Sequence, residues 1–186
     1  LDHRVHIIDP ARGTVVKSID LDGAIPNSPA LGADGVYVGS FASTVEFVKP
    51  DGSHEVVTKA DNWVWGSPVV DAETLYYADL DGKVYSVDLK TGKQNWSIDF
   101  VDGDKIGITA GLLATPDHIY VAAESGALFA LDHAGEIVWE KTLDKAVYTT
   151  PVAAGDLILF SPYQADIALA AYDLQGKQAW VFTPEK

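Results

Sequence analysis

The chain has 186 residues, 47% of them apolar, and a formal net charge of −14. That length and apolar content allow a sizeable buried core, with one domain the default. The charge argues against nucleic acid or anionic lipid as partners, since both need Lys and Arg to neutralise phosphate. The longest apolar runs, such as Ile167 to Tyr172, are strand-sized and fall short of the roughly 18 residues a membrane-spanning helix needs, so no membrane insertion is expected.

Absence of Cys rules out disulfides, thiolate zinc sites and Cys nucleophiles. An acidic chain that also lacks Met suits an extracytoplasmic setting, periplasmic or cell-surface. The opening Leu1-Asp2-His3-Arg4 has neither an initiator Met nor a signal-like apolar stretch, which predicts a processed or trimmed piece of a longer protein.

Taken in chain order, one unit recurs. Its turn glycines are Gly13, Gly52, Gly92, Gly135 and Gly176, at separations of 39, 40, 43 and 41 residues. The plainest copy runs from Leu75 through Asp81-Gly82 and Asp88-Leu89-Lys90-Thr91-Gly92 to Trp96, and the next from Ile119 through Ser125-Gly126 to Trp139. Each reads as strand, tight turn, strand, turn, strand, because Asp-Gly and Ser-Gly supply the positive φ that short hairpins need. Val84-Tyr85-Ser86-Val87 alternates apolar and polar as a strand should. A further short strand per unit is marked by Ser28-Pro29, Ser67-Pro68, Gly111-Leu112 and Thr150-Pro151.

Four short antiparallel strands per unit make a propeller blade. The expected fold is therefore all-β: a β-propeller of four-stranded antiparallel blades, with an N-terminal half blade at 4–19 and whole blades at 24–59, 63–100, 106–143 and 146–184 in a single domain. Helical solenoids lack this Gly spacing, and an immunoglobulin-like sandwich does not explain a repeated Gly-to-Trp interval.

The segment Ser86-Val87-Asp88-Leu89-Lys90-Thr91-Gly92-Lys93-Gln94-Asn95-Trp96 resembles the tryptophan-docking motif of the pyrroloquinoline-quinone-type repeat family. That resemblance implies that Trp96, Trp139 and Trp180 pack between blades near the glycine turns Gly92, Gly135 and Gly176. It is strong from Asn62 to Trp180; the first two units carry Lys17 and Val56 where Trp would stand, so those blades should dock less tightly. The family usually closes at seven or eight blades, so this chain is expected to be part of a larger ring or to pair head to tail as a homodimer.

No catalytic constellation is visible. The family's quinone enzymes use calcium ligands and an Asp base that are not identifiable here, so no cofactor is expected and enzyme activity has no positive support. His3, His6, His54, His118 and His133 are scattered, and surface positions account for them. Asp99, Asp102, Gly103 and Asp104 form an acidic loop that could bind calcium, although a solvated loop between blades explains it more simply. Asp20-Leu21-Asp22-Gly23 and Asp79-Leu80-Asp81-Gly82 read as turns.

The candidate binding face is where the innermost strands begin, because every blade presents side chains there toward one axis. Aligning the units places Pro26, Trp65, Thr109 and Tyr148 at equivalent positions, flanked by Asn27, Asn62, Trp63 and Tyr163. Trp63 and Trp65, two apart on one strand, would share a side and form an aromatic patch for a peptide or a sugar; packing between blades is the simpler account. Three functions fit. The first is a non-catalytic scaffold that recruits a protein or peptide, close to the family's outer-membrane assembly branch, with the outer strand His54-Glu55-Val56-Val57-Thr58 available for strand addition. The second is a fragment of a quinone-dependent dehydrogenase. The third is an extracellular sensor or carbohydrate-binding region.

Overall fold

A computed structural model describes residues 2–100 and 106–185. Among these there are eighteen β-strands and no helix. Strands β1 (Arg4–Asp9) and β2 (Thr14–Asp20) form a two-stranded antiparallel sheet. Four four-stranded antiparallel meanders follow. The first comprises β3 (Ala30–Leu31), β4 (Val36–Gly39), β5 (Thr44–Val48) and β6 (His54–Lys59). The second comprises β7 (Val69–Asp71), β8 (Thr74–Ala78), β9 (Lys83–Asp88) and β10 (Lys93–Asp99). The third comprises β11 (Leu113–Ala114), β12 (Ile119–Ala122), β13 (Ala127–Leu131) and β14 (Ile137–Thr142). The fourth comprises β15 (Val152–Ala154), β16 (Leu157–Phe160), β17 (Leu169–Asp173) and β18 (Gln178–Phe182). The result is an all-β arc of four propeller blades and half of a fifth.

The short first strands of successive blades touch, β3 against β7 and β7 against β11, which places them nearest the axis. Each begins just after its Ser-Pro-type marker. The loop residues 102–104 of the acidic segment lie outside the described residues.

The core is divided among the junctions between sheets. Leu75, Tyr77, Tyr85 and Val87 of the second blade face the first blade, where Val45, together with Val64 of the joining segment, completes the cluster. Tyr76, Ala78 and Val84 face the third, packing with Ile119, Val121 and Phe129. Equivalent clusters fill the junction of the third and fourth blades and that of the half blade with the first. The middle strands of the second and third blades are thus buried on both sides. The alternation read in Val84-Tyr85-Ser86-Val87 is consequently not an inside-to-outside pattern: all four residues are buried. A strand covered on both faces carries apolar residues at successive positions, as Leu75-Tyr76-Tyr77-Ala78 does.

Indole rings bridge two junctions. Trp96 lies against Gly135, where an added Cβ would come within 2.8 Å of the ring, and its Nε1–H donates to the His133 carbonyl at 2.9 Å. Trp139 repeats the arrangement on Gly176, donating to the Leu174 carbonyl at 3.2 Å. Both glycines have positive φ, +91° and +76°, so the turn and the flat approach of the ring each require the missing Cβ. At the half blade, Lys17 takes the ring's place, lying against Gly52 with its ammonium donating to the Asp51 carbonyl.

Two expected interblade residues do not pack so. Trp180 is 41% exposed because no described strand lies beyond β18. Gly92 has nothing within 4 Å of where its Cβ would be. The outer strand pair of the first blade differs from the rest: its bulge falls after Val56 rather than before it, so Glu55, not Val56, stands opposite Phe47. In the second, third and fourth blades, the Trp instead follows the bulge and pairs with Ser86, Ala130 and Ala171 respectively.

Truncating Trp139 removes a ring that is 7% exposed together with its hydrogen bond. We expect Trp139→Ala to lower stability by about 3–5 kcal/mol and Trp180→Ala by less than about 1 kcal/mol, measured as shifts of the urea midpoint under identical conditions.

Candidate functional site

The segments joining one blade to the next converge at the end of the arc where β3, β7, β11 and β15 begin. They enclose an open cavity of about 380 Å³ lined by Pro26, Asn27, Trp65, Thr109 and Tyr148, with Ser and Thr side chains between them. The four positions that the repeat alignment made equivalent are therefore brought together.

Trp63 and Trp65 are not on a strand, since β7 starts at Val69. The segment is nonetheless extended: Val64 is fully buried, while Trp63 and Trp65 are 44% and 40% exposed. Packing between blades, the simpler expectation for this pair, accounts for one side of each ring, where Phe41 of the first blade meets both. Phe41 lies between them, with ring centroids 4.7 Å from Trp63 and 5.0 Å from Trp65. Across the mouth, Tyr148 and Tyr163 meet edge to face at 5.5 Å, and both are exposed.

Sequence reasoning missed Phe41. Its amide donates to the Ala24 carbonyl as that of Tyr163 donates to the Ala146 carbonyl, so the two residues occupy the same repeat position. Extending the alignment to the turn after each second strand would have found it.

Two polar networks fix the segment that carries Trp63 and Trp65. Asn27 Nδ2 donates to the Gly39 and Val64 carbonyls, both at 3.1 Å, clamping the backbone between the two indoles. Its Oδ1 is buried without a partner among the described residues. The second network is centred on Asp79, which is fully buried. Its carboxylate accepts from the amides of Asn62, Asp81 and Lys83 and from the Tyr85 hydroxyl, the last at 2.8 Å. Tyr85 also accepts the Asp61 amide, and Asn62 Oδ1 accepts the Trp63 amide at 2.7 Å. What the sequence presents as a simple turn is therefore also the anchor of residues 61–63. Thr109 donates to Glu124 at 3.0 Å, tying the third blade's contribution to its own hairpin.

Among the described residues no three His, Asp or Glu side chains converge as a metal site. His6 instead contacts Asp2 and Ser18. The mouth offers rigid aromatic faces, hydroxyls and backbone groups, an inventory suited to binding.

Burial raises the Tyr77 phenol to about 12, and burial followed by the bond to Asp79 raises that of Tyr85 further still. Both groups fold as neutral phenols with pKa values above the unfolded value near 10. Their contribution is therefore complete below pH 10 and is lost as pH climbs from there, through 12 for Tyr77 and beyond it for Tyr85. The urea midpoint should be flat from pH 7 to 9.5 and fall above 10, and Tyr77→Phe should reduce that alkaline slope.

A sequence-family model described as outer membrane protein assembly factor BamB matches residues 1–109 and again 103–186. A BamB of Burkholderia pseudomallei is 29% identical over 119 residues, covering 62% of this chain and 29% of the relative. Another from Kangiella koreensis is 32% identical over 108 residues, covering 58% of this chain and 25% of the relative. The matched stretch is thus about a quarter to a third of these curated relatives' length. The crystal structure of BamB from Moraxella catarrhalis superposes with a TM-score of 0.72 at 14% identity, over 91% of this chain and 56% of that one. A chain of the mitotic checkpoint complex gives 0.84 at 12% identity, over all of this chain and 60% of that one. Similarity at such identities establishes the fold alone.

Proposed function

The chain belongs to the BamB family of repeat propellers, and from that premise we propose that it is a non-catalytic scaffold module that recruits protein partners during outer membrane protein assembly. The reading places it outside the cytoplasm, in the periplasm. It is favoured over a dehydrogenase fragment by family membership. The observation that carries it is the exposure of Trp65 and Tyr148 at one mouth to which all four blades contribute, with the exposed rings of Trp63 and Tyr163 next to them through Phe41 and Tyr148. Rigid aromatic side chains bury large area on binding at small entropic cost, which is why they dominate protein recognition sites.

The test is photo-crosslinking from position 148 in an envelope extract. A protein adduct is expected, with a yield at least fivefold lower in the Trp63→Ala/Trp65→Ala variant. Adducts confined to polysaccharide would overturn the reading in favour of a carbohydrate-binding role.

A finer form of the proposal concerns the ends of the arc. Trp180 is an exposed docking ring, and Gly13 is a docking turn with nothing within 4 Å. In a head-to-tail homodimer the ring of one copy would seat on the turn of the other. Light scattering should then return twice the chain mass, falling to the single mass in Trp180→Ala; a monomer before substitution rejects the pairing.

A further inference from the structure

The junction between the first and second blades is unlike the other three. Trp96, Trp139 and Lys17 each close their junction by lying on the next sheet's glycine turn and donating an N–H to a carbonyl just before the glycine. At this junction that place is empty, and an open cleft of about 460 Å³ runs between β5 and β6 on one side and the turn at Leu89–Gly92 on the other. Phe47 accounts for the difference. It stands where the other blades carry Ser86, Ala130 or Ala171, and it packs on Tyr37 at 4.7 Å, much as Trp96 packs on Tyr76 at 5.9 Å. The aromatic pair thus floors the cleft without reaching Gly92.

The rim is charged. Asp34 and Glu55 line the cleft, and neither has an ion pair or hydrogen bond through its side chain among the described residues. Proximity of Glu55 adds to burial in raising the Tyr37 phenol. Of the two lysines present, Lys90 is held by Glu73 at 2.5 Å, and Lys49 sits 6.0 Å from the centre of the Phe47 ring. That leaves one carboxylate more than the available cations.

We infer that this cleft is a receptor slot for an arginine side chain of a protein partner. A guanidinium combines the two occupants seen in the sister junctions: it is flat like the indole and cationic like Lys17. It would stack on Tyr37 and Phe47, donate to the carbonyls of the Leu89–Lys90 turn and pair with Glu55. The −14 charge of the chain draws a basic segment to it in the first place. The inference rests on the chain being a protein-recruiting module but locates a second contact away from the axial mouth.

The probe is the blocked tripeptide acetyl-Gly-Arg-Gly-amide, titrated into the isotopically labelled chain and followed by amide chemical shifts. Saturable shifts are expected at Glu55–Val57 and Lys90–Gly92, with a dissociation constant on the order of 1 mM. The lysine peptide should bind at least threefold more weakly, and Glu55→Gln should weaken the arginine peptide about fivefold. No shift at those amides, equal binding by Glu55→Gln, or tighter binding of the tryptophan peptide would overturn the assignment. The Trp63→Ala/Trp65→Ala variant should bind the arginine peptide unchanged. Loss of crosslinking in that variant alongside a cleft that ignores arginine would therefore sink this inference and leave the scaffold reading intact.

Discussion

Everything in this fold depends on the seating of one sheet's side chains against the next sheet's backbone. The middle strands of the second and third blades have no solvent face. Leu75 and Tyr77 serve one junction while Tyr76 and Ala78 serve the other, so this blade leans on both of its neighbours. Trp96 on Gly135 and Trp139 on Gly176 fasten the outer parts of those contacts. A ring laid on a glycine turn buries large area, satisfies its only donor at the adjacent carbonyl and loses little rotamer freedom.

The same geometric problem is solved three ways along the arc. An indole closes two junctions and a lysine stem with its ammonium closes a third. Tyr37 and Phe47 fill only part of the remaining one. A shift of the bulge in β6 goes with that last solution, because moving the extra residue past Val56 turns a different side chain toward the second blade. Repeat proteins tolerate such substitutions because each junction is nearly independent of the others. Sites can therefore arise where a junction is incompletely filled.

The axial mouth follows from the opposite property, rigidity. The segment that carries Trp63 and Trp65 is not a strand, yet it is fixed by buried polar groups. Asn27 spans two carbonyls, and Asp79 gathers three amides and a phenol. In a low-dielectric interior a satisfied network such as that of Asp79 is strong. Trp63 and Trp65 are thus exposed on a backbone held by hydrogen bonds, as recognition by preorganised surfaces favours.

The period of the turn glycines, the Asp-Gly and Asp-x-x-Thr-Gly turns and the spaced tryptophans sufficed to read an all-β chain of four blades and a half, because turn chemistry and repeat length are local properties. Alignment of the units also placed Pro26, Trp65, Thr109 and Tyr148 at one level, since equivalent positions in a rotationally repeated fold share an axis. What sequence could not decide were matters of contact. Whether Trp63 and Trp65 are buried, whether Asp79 is a turn residue or an anchor, and whether Gly92 receives a ring all depend on residues some twenty to forty positions away. Val56 appeared to occupy a docking position by counting from its glycine, and only strand register, set by a bulge, showed that Glu55 stands opposite Phe47. Spacing along the chain determines which residues recur; pairing and packing between chain segments decide which way they point and what they meet.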